Sequence, residues 1–243
     1  MRVLFVGGAG YLGRLVVPVL AQRHEIRILD RRAQEGGVTG DATDYGTVRR
    51  AVDGTGAVVH CAMGGMDWNT PGGARDAFDV SVLSVHQTLR AAHDAGVRHA
   101  VYVSSLSVYR NLFARHITEA DPPDATDVYG LTKRLGEEVC RAACAEWGMS
   151  VNMLRLAFPT PDDVWPAWAK AQPPVRRRTD DGTPIDATAG TDVALAILAA
   201  LDHRDGCEAF TITGDRTAGL WSVEKARRVL GWAPSFPRPD QSG

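Results

Sequence analysis

Tyr129 and Lys133 stand four residues apart in the run Tyr129-Gly130-Leu131-Thr132-Lys133. On a helix that spacing projects both side chains from one face. A phenol alone is a poor base at neutral pH, since its unperturbed pKa is about 10. An ammonium beside it favours the phenolate and lowers that value. The pair is therefore suited to moving a proton on and off a substrate oxygen. A second constellation lies near the start of the chain, Gly7-Gly8-Ala9-Gly10-Tyr11-Leu12-Gly13. It follows a predicted strand and opens a predicted helix, the context a dinucleotide loop requires. Gly7 allows the tight turn, Gly10 lets the backbone approach a pyrophosphate, and Gly13 lets the helix pack closely on the sheet. The pyrophosphate would then face unpaired N–H groups at the positive end of that helix. Asp30 follows 17 residues after Gly13. Its carboxylate can accept ribose hydroxyls and repels a 2′-phosphate, which favours NAD. Arg31 and Arg32 come next and could cradle a 2′-phosphate, so NADP stays open as the alternative.

The elements that must position these groups alternate along the chain. Strands are predicted at Arg2–Val6, Ile26–Leu29, Ala57–His60, Ala100–Ser104 and Val151–Leu156. Helices are predicted at 11–22 (with a kink at Pro18), 45–52, 76–95 and 127–147. Gly96 and Gly148 sit where left-handed caps would end the last two. Strands separated by such helices imply a parallel sheet covered on both faces, and right-handed crossovers make it doubly wound. After Phe158 six prolines punctuate a stretch expected to be loop, with one short helix near 163–171. A helix at 191–201, a strand at 209–213 and a helix at 222–230 follow, and prolines mark a frayed tail. The expected division is a dinucleotide-binding domain over 1–158, a small lobe over 159–235 and a tail over 236–243.

Composition narrows the partners. A net charge of −2 gives no electrostatic case for nucleic acid or an anionic membrane. Arg176-Arg177-Arg178 reads as a solvated loop, or else as a site for an anionic substrate group. The cysteines Cys61, Cys140, Cys144 and Cys207 form no zinc-like pair and read as structural thiols of a reducing compartment. No signal peptide and no apolar run of about 18 residues is evident. A cytoplasmic location and a small-molecule substrate are expected.

The motifs together resemble the extended short-chain dehydrogenase/reductases, the NAD-dependent epimerase/dehydratase family. Gly-x-x-Gly-x-x-Gly is that family's fingerprint. Gly40-Asp41-Ala42-Thr43-Asp44, Val59-His60-Cys61-Ala62, Tyr102 to Tyr109, Tyr129 to Lys133 and Ser222 to Trp232 are all similar to its conserved segments. The resemblance implies a Rossmann-type α/β fold with a small carboxyl-terminal substrate lobe. It places the cofactor against Gly7, Gly10, Tyr11, Leu12, Gly13, Asp30, Arg31, Asp41, Ala42, Cys61, Ala62, Met63, Ser81, Tyr129, Lys133 and Ala157. Asp41 would meet the adenine amine, and Lys133 would also hold the nicotinamide ribose. It makes Ser105, Tyr129 and Lys133 the catalytic set, with Ser105 orienting the reacting oxygen. Ser104 is the competing choice, which strand alternation should turn away. His60 reads as a packed scaffold residue rather than a base. Three positions depart from the family: Ser81 stands where an asparagine is usual, Arg110 replaces a glycine, and Ala157-Phe158-Pro159-Thr160-Pro161 replaces its usual segment.

The short stretch after Phe158 suggests a small substrate rather than a nucleotide sugar. Leu106 and Ser107 occupy the place of the acidic pair that the family's dehydratases use, which argues against dehydration. The leading expectation is an oxidoreductase on a small hydroxyl or carbonyl compound such as a sugar or uronic acid. Arg155 or Arg176–Arg178 would hold a carboxylate, with a structural role as the other reading of Arg155 at its strand end. An epimerase with tightly held NAD is the alternative, and a non-catalytic dinucleotide sensor the third reading. The family also suggests a homodimer paired through helices 76–95 and 127–147. No metal is expected.

Overall fold

Strand β1 (Arg2–Val6) is buried along almost its whole length, as a strand covered on both faces must be. The computed structural model describes residues 1–216 and 219–236. The predicted tail falls almost wholly outside them. After β1 come α1 (Tyr11–Leu20), β2 (Glu25–Asp30), β3 (Val38–Thr39), α2 (Tyr45–Val52), β4 (Ala57–His60), α3 (Pro71–Phe78) and α4 (Ser84–Asp94). Next are β5 (His99–Ser105), α5 (Val128–Trp147), β6 (Ser150–Leu156) and the two-residue strands β7 (Pro159–Thr160), β8 (Arg177–Arg178), β9 (Pro184–Ile185) and β10 (Thr188–Ala189). α6 (Gly190–Asp202) and β11 (Cys207–Ile212) follow, and a last helical turn spans Ala226–Leu230.

Seven strands form one sheet in the order β11-β6-β5-β4-β1-β2-β3, every pair parallel. This is the expected doubly wound α/β fold of Rossmann type. The alternation along β1 shows both faces being covered. Val3 and Phe5 pack with α1 and α6 residues such as Val16, Leu20 and Ile197. Leu4 and Val6 point the other way, toward Val48 of α2, Leu89 of α4 and Ala143 of α5. Strand order reverses between β1 and β4, so the chain leaves the ends of these two strands in opposite directions. That leaves a crevice beyond Val6 and His60, which pair in register.

Some elements differ from the expectation. The helix expected at 76–95 begins earlier, at Pro71, with the Thr70 hydroxyl accepting from the Gly73 N–H at 3.1 Å. Pro71-Gly72-Gly73 looks like a breaker, but proline is well suited to a first helical turn. Between α3 and α4 the chain makes a π-helical turn, Asp79–Leu83. There the Ser84 hydroxyl donates back to the Val80 carbonyl at 2.5 Å. The short helix expected near 163–171 is absent, and that stretch is turns with a bridge between Trp168 and Val175. Pro166 has no N–H to donate and biases Trp165 away from helix. α1 ends at Leu20 instead of running to Gln22. The last helix is shorter than 222–230, with its final turn, Ala226–Leu230, π-helical. The two-residue β3 was not foreseen.

α5 is seated on the sheet by charge as well as by shape. Glu137 is fully buried, and both its oxygens accept from Arg155 of β6, at 2.8 and 2.7 Å. Ser104 of β5 donates to the same carboxylate at 2.7 Å, and Arg141 reaches it at 3.1 Å. Burial pushes the Glu137 carboxyl up, but the Arg155 bonds outweigh it and hold it below its ordinary value. Gly136 completes the fit, since a Cβ there would stand 2.2 Å from the Tyr102 hydroxyl. A buried pair broken from one side leaves an uncompensated charge. Glu137→Ala is therefore expected to cost about 3–5 kcal/mol in urea unfolding. A loss below about 1 kcal/mol, the value of an exposed pair, would contradict this.

Candidate functional site

The crevice is a cleft of about 810 Å³ along the carboxyl ends of the strands. Gly7 enters it from β1 with φ 85°, a left-handed conformation that glycine adopts freely. A Cβ at Gly7 would lie 2.6 Å from the Ala62 backbone, and one at Gly13 would lie 2.1 Å from the Gly8 carbonyl oxygen. The close approaches read from the sequence are thus present. α1 starts at Gly10 with no side chain capping it, so its first N–H groups are free to meet an anion. Asp30 Oδ2 accepts from the Ala9 N–H at 3.0 Å, while Oδ1 accepts from the Arg32 N–H at 3.0 Å. The carboxylate therefore ties β2 to the glycine loop and keeps lone pairs for a further donor. Asp41 lines the same end, fixed by two bonds from Thr43 at 2.8 Å each. Arg31 reaches Asp76 at 3.5 Å, and Arg32 reaches Asp30 at 3.5 Å.

At the other end, α5 brings Tyr129 and Lys133 to Ser105. Asp127 caps the helix by accepting from the Gly130 N–H at 2.9 Å. The Ser105 hydroxyl faces the Tyr129 phenol, whose pKa it draws down, and accepts from the Ser107 N–H at 3.1 Å. Ser104, its competitor, is occupied by Glu137. The Lys133 ammonium donates to the Val103 carbonyl at 2.9 Å and lies 5.2 Å from the centre of the Tyr102 ring. The electrostatics differ from the sequence expectation. Burial raises the Tyr129 phenol, Ser105 offsets this only in part, and Lys133 is not among the groups that lower it. Burial instead falls on the lysine, whose pKa drops to about 8. His60 is held down to about 3 by burial and the nearby Lys133 charge, and its Nε2 meets the Ser84 hydroxyl at 2.8 Å. It is a neutral packed residue, as the sequence suggested. The Cys61 thiol is pushed up to about 11 by burial and stays protonated.

The cleft gathers Gly7, Gly10, Tyr11, Leu12, Asp30, Arg31, Asp41, Ala42, Cys61, Ala62, Met63, Ser105, Tyr129, Lys133 and Ala157. Gly13 and Ser81 are not on its surface. Gly13 serves packing beneath the loop. Ser81 is buried in the π-turn, its carbonyl facing Gly136, and Ser84 lines the cleft instead. The arginines expected to hold a carboxylate are elsewhere. Arg155 is consumed by Glu137 and Tyr109. Arg176 pairs with Asp186 at 2.5 Å, Arg178 donates to the Gly182 carbonyl at 2.7 Å, and none of the four lines the cleft. Sequence reasoning missed Trp68, Phe158, Trp168, Lys170 and Trp221, which do. Trp68 stacks on the Tyr129 ring, 4.7 Å between centroids and 16° between planes. The Lys170 ammonium sits 4.9 Å from the centre of the Tyr11 ring, and Tyr11 donates to the Pro159 carbonyl at 3.1 Å. No spacing rule marks these residues, because they reach the site from distant segments. No group of three or more potential metal ligands occurs among the described residues.

Comparison with known proteins agrees with this geometry. The model of the NAD dependent epimerase/dehydratase family matches residues 3–212. An uncharacterized protein of Bacillus subtilis, YtbQ, is 24% identical over 248 residues, covering 97% of this chain and 94% of that one. The L-arabinose 1-dehydrogenase (NAD(P)(+)) of Haloferax volcanii is 27% identical over 173 residues, 65% of this chain and 66% of that one. A short-chain dehydrogenase/reductase superfamily protein of Agrobacterium tumefaciens, solved with bound NAD, superposes with a TM-score of 0.81 at 25% identity, covering 98% of this chain and 93% of that one.

The lysine gives a test of the electrostatics. An unfolded chain holds the Lys133 proton up to about pH 10.5, the folded chain only up to about 8. The unfolded state therefore binds more protons between those values, and stability rises with pH across that window. Lys133→Met removes the buried charge at the cost of its hydrogen bond. It is expected to add about 2 kcal/mol at pH 7 and much less at pH 10, read by urea unfolding at both. An equal effect at both pH values would refute the assignment.

Proposed function

The chain belongs to the NAD dependent epimerase/dehydratase family, a family of NAD-dependent enzymes, and we propose that it is an oxidoreductase moving hydride between NAD and a hydroxyl or carbonyl compound, with Tyr129 as acid and base. The observation that carries this is the gathering of Ser105, Tyr129 and the buried Lys133 in the cleft that also holds the glycine loop. The residues present fit the dinucleotide. The open start of α1 suits the pyrophosphate, Asp30 the adenosine ribose, and Asp41 and Ala42 the adenine. Lys133 suits the second ribose, and Lys170, above Tyr11, adds a cation beside the pyrophosphate position.

Bound NAD supplies the hydride acceptor or donor. The chain's own residues do the rest. Ser105 donates to the substrate oxygen and orients it toward Tyr129. Tyr129, kept protonated by burial, gives its proton to a carbonyl oxygen, and in the reverse direction takes one from an alcohol. Trp68, stacked on the phenol, keeps water off that face. The carboxylate-binding part of the sequence expectation finds no support in the cleft, where those arginines are absent. The same reading includes a homodimer, supported by exposed Phe78 and Leu83 beside α4. It includes a cytoplasmic location, supported by four unpaired cysteines. No helix among the described residues is long and apolar enough to cross a membrane.

Tyr129→Phe should bind NADH, followed by fluorescence, as the natural protein does, and lose a factor of about 10²–10⁴ in turnover. Unchanged turnover in this variant would refute the mechanism. Tightly bound NAD with isomerisation but no net NADH formation would point to the epimerase alternative. Asp30 also sets a cofactor preference. NADPH is expected to bind about tenfold more weakly than NADH, because a second anion faces that carboxylate. Equal affinities, measured by titration, would give Arg31 and Arg32 the phosphate-binding role instead.

A further inference from the structure

Beyond Ser105 and Tyr129 the character of the cleft changes. Its far wall is formed by Met66, Trp68, Leu112, Phe158, Trp168 and Trp221. Phe158 lies edge-on to Trp168, with centroids 5.3 Å apart at 63°, and 6.0 Å from Trp221. Trp221 spends its indole N–H on the Leu112 carbonyl at 3.0 Å and shows the cleft an apolar face. We propose that the substrate is an uncharged, largely apolar ring ketone or secondary alcohol, whose ring system packs between Trp68, Trp168 and Trp221 while its single oxygen meets Ser105 and Tyr129. This rests on the oxidoreductase reading and names the substrate class for that site.

The argument is one of matching donors and acceptors. A sugar buries several hydroxyls, each of which needs a partner once removed from water. Among the described residues lining the cleft there is no Asn, Gln, His or Glu. Asp30 and Asp41, the acidic residues, are at the adenosine end. The Ser105 hydroxyl already accepts from the Ser107 N–H. The Ser84 and Ser104 hydroxyls are given to the Val80 carbonyl and to Glu137, so Tyr129, Ser105 and Ser107 are what remains, enough to hold one reacting oxygen and little more. A carboxylate would need a free cation near this wall. The Arg177 guanidinium lies against Trp168 at 4.6 Å and Phe158 at 5.5 Å without lining the cleft, so its charge is set on the backs of these rings. Lys133 is bonded to the Val103 carbonyl beneath the reacting position, and Lys170 stands over Tyr11 at the glycine loop. Flat apolar walls with a few convergent polar groups are what a site for a ring of this kind requires.

The test uses α-tetralol and α-tetralone as apolar ring probes, with D-galactose and D-galacturonate as polar ones, on the full chain with NAD or NADH. The expected result is a kcat/KM for α-tetralol about 100-fold above that of either sugar. Trp168→Ala should raise KM about tenfold with kcat little changed, and Trp168→Phe should restore it, since the ring face and not the fold is lost. Binding of α-tetralone to the NADH-loaded Tyr129→Phe protein separates the two readings. If α-tetralone binds there as it does to the natural protein, and neither form turns it over, the hydride-transfer reading falls and the apolar site stands. If the sugars are oxidised faster than α-tetralol, the apolar class is overturned and the oxidoreductase reading survives. If α-tetralone fails to bind, or binds without regard to Trp168, the proposal is wrong.

Discussion

The buried pair between Glu137 and Arg155 fixes where α5 lies, and the candidate site depends on it. Glu137 is one helical turn beyond Lys133 and two beyond Tyr129, all three at i, i+4 spacing on the same helix. Whatever sets the depth and rotation of α5 at Glu137 therefore sets both other side chains. Arg155 supplies the restraint from β6 and Ser104 from β5, so the helix is pinned to two strands at once. The neighbouring Ser105 is left to the cleft, since the Ser104 hydroxyl is spent on Glu137. A bidentate arginine suits this task because its rigid fork fixes direction as well as distance. An apolar contact of similar volume could give comparable stability but would leave rotation about the helix axis less defined.

A second restraint operates at the opposite end of the cleft. Asp30 joins the end of β2 to the glycine loop through the Ala9 N–H, so one carboxylate both shapes the loop and lines the cleft. The glycine loop and Asp30 were legible in sequence because their spacing is local: one turn, one strand end, one fixed separation. The Tyr129–Lys133 pair was legible for the same reason. So was the doubly wound sheet, whose alternating apolar runs and helices leave few other arrangements.

What was not legible came from contacts between remote segments or from one extra residue in a turn. Ser81 aligned with a familiar position, yet the π-turn at Asp79–Leu83 adds a residue to the helical turn and carries Ser84 to the cleft. The helix expected from Asp76 starts five residues earlier, at Pro71. Arg155 read equally as a substrate contact or a structural residue, because nothing local reveals that its partner lies eighteen positions earlier on a different element. The tryptophans of the far wall arrive from three separate stretches, and Lys170 from the proline-rich segment. Their meeting is a property of tertiary packing, for which the sequence offers no period to count.

Lys133 shows the cost of such a site and why it is tolerated. Lys133 is 3% exposed, with one backbone carbonyl and one aromatic face for company, and its proton is held less firmly for it. No carboxylate is paired with it, although Glu137 lies only a turn away, because Arg155 already occupies both carboxylate oxygens. The strong pair thus holds the scaffold, and the unpaired ammonium is left at the surface of the cleft. Had Glu137 neutralised Lys133 instead, the helix would lose its anchor and the cleft this charge. The division of partners among Glu137, Arg155 and Lys133 separates stability from chemistry on one helix.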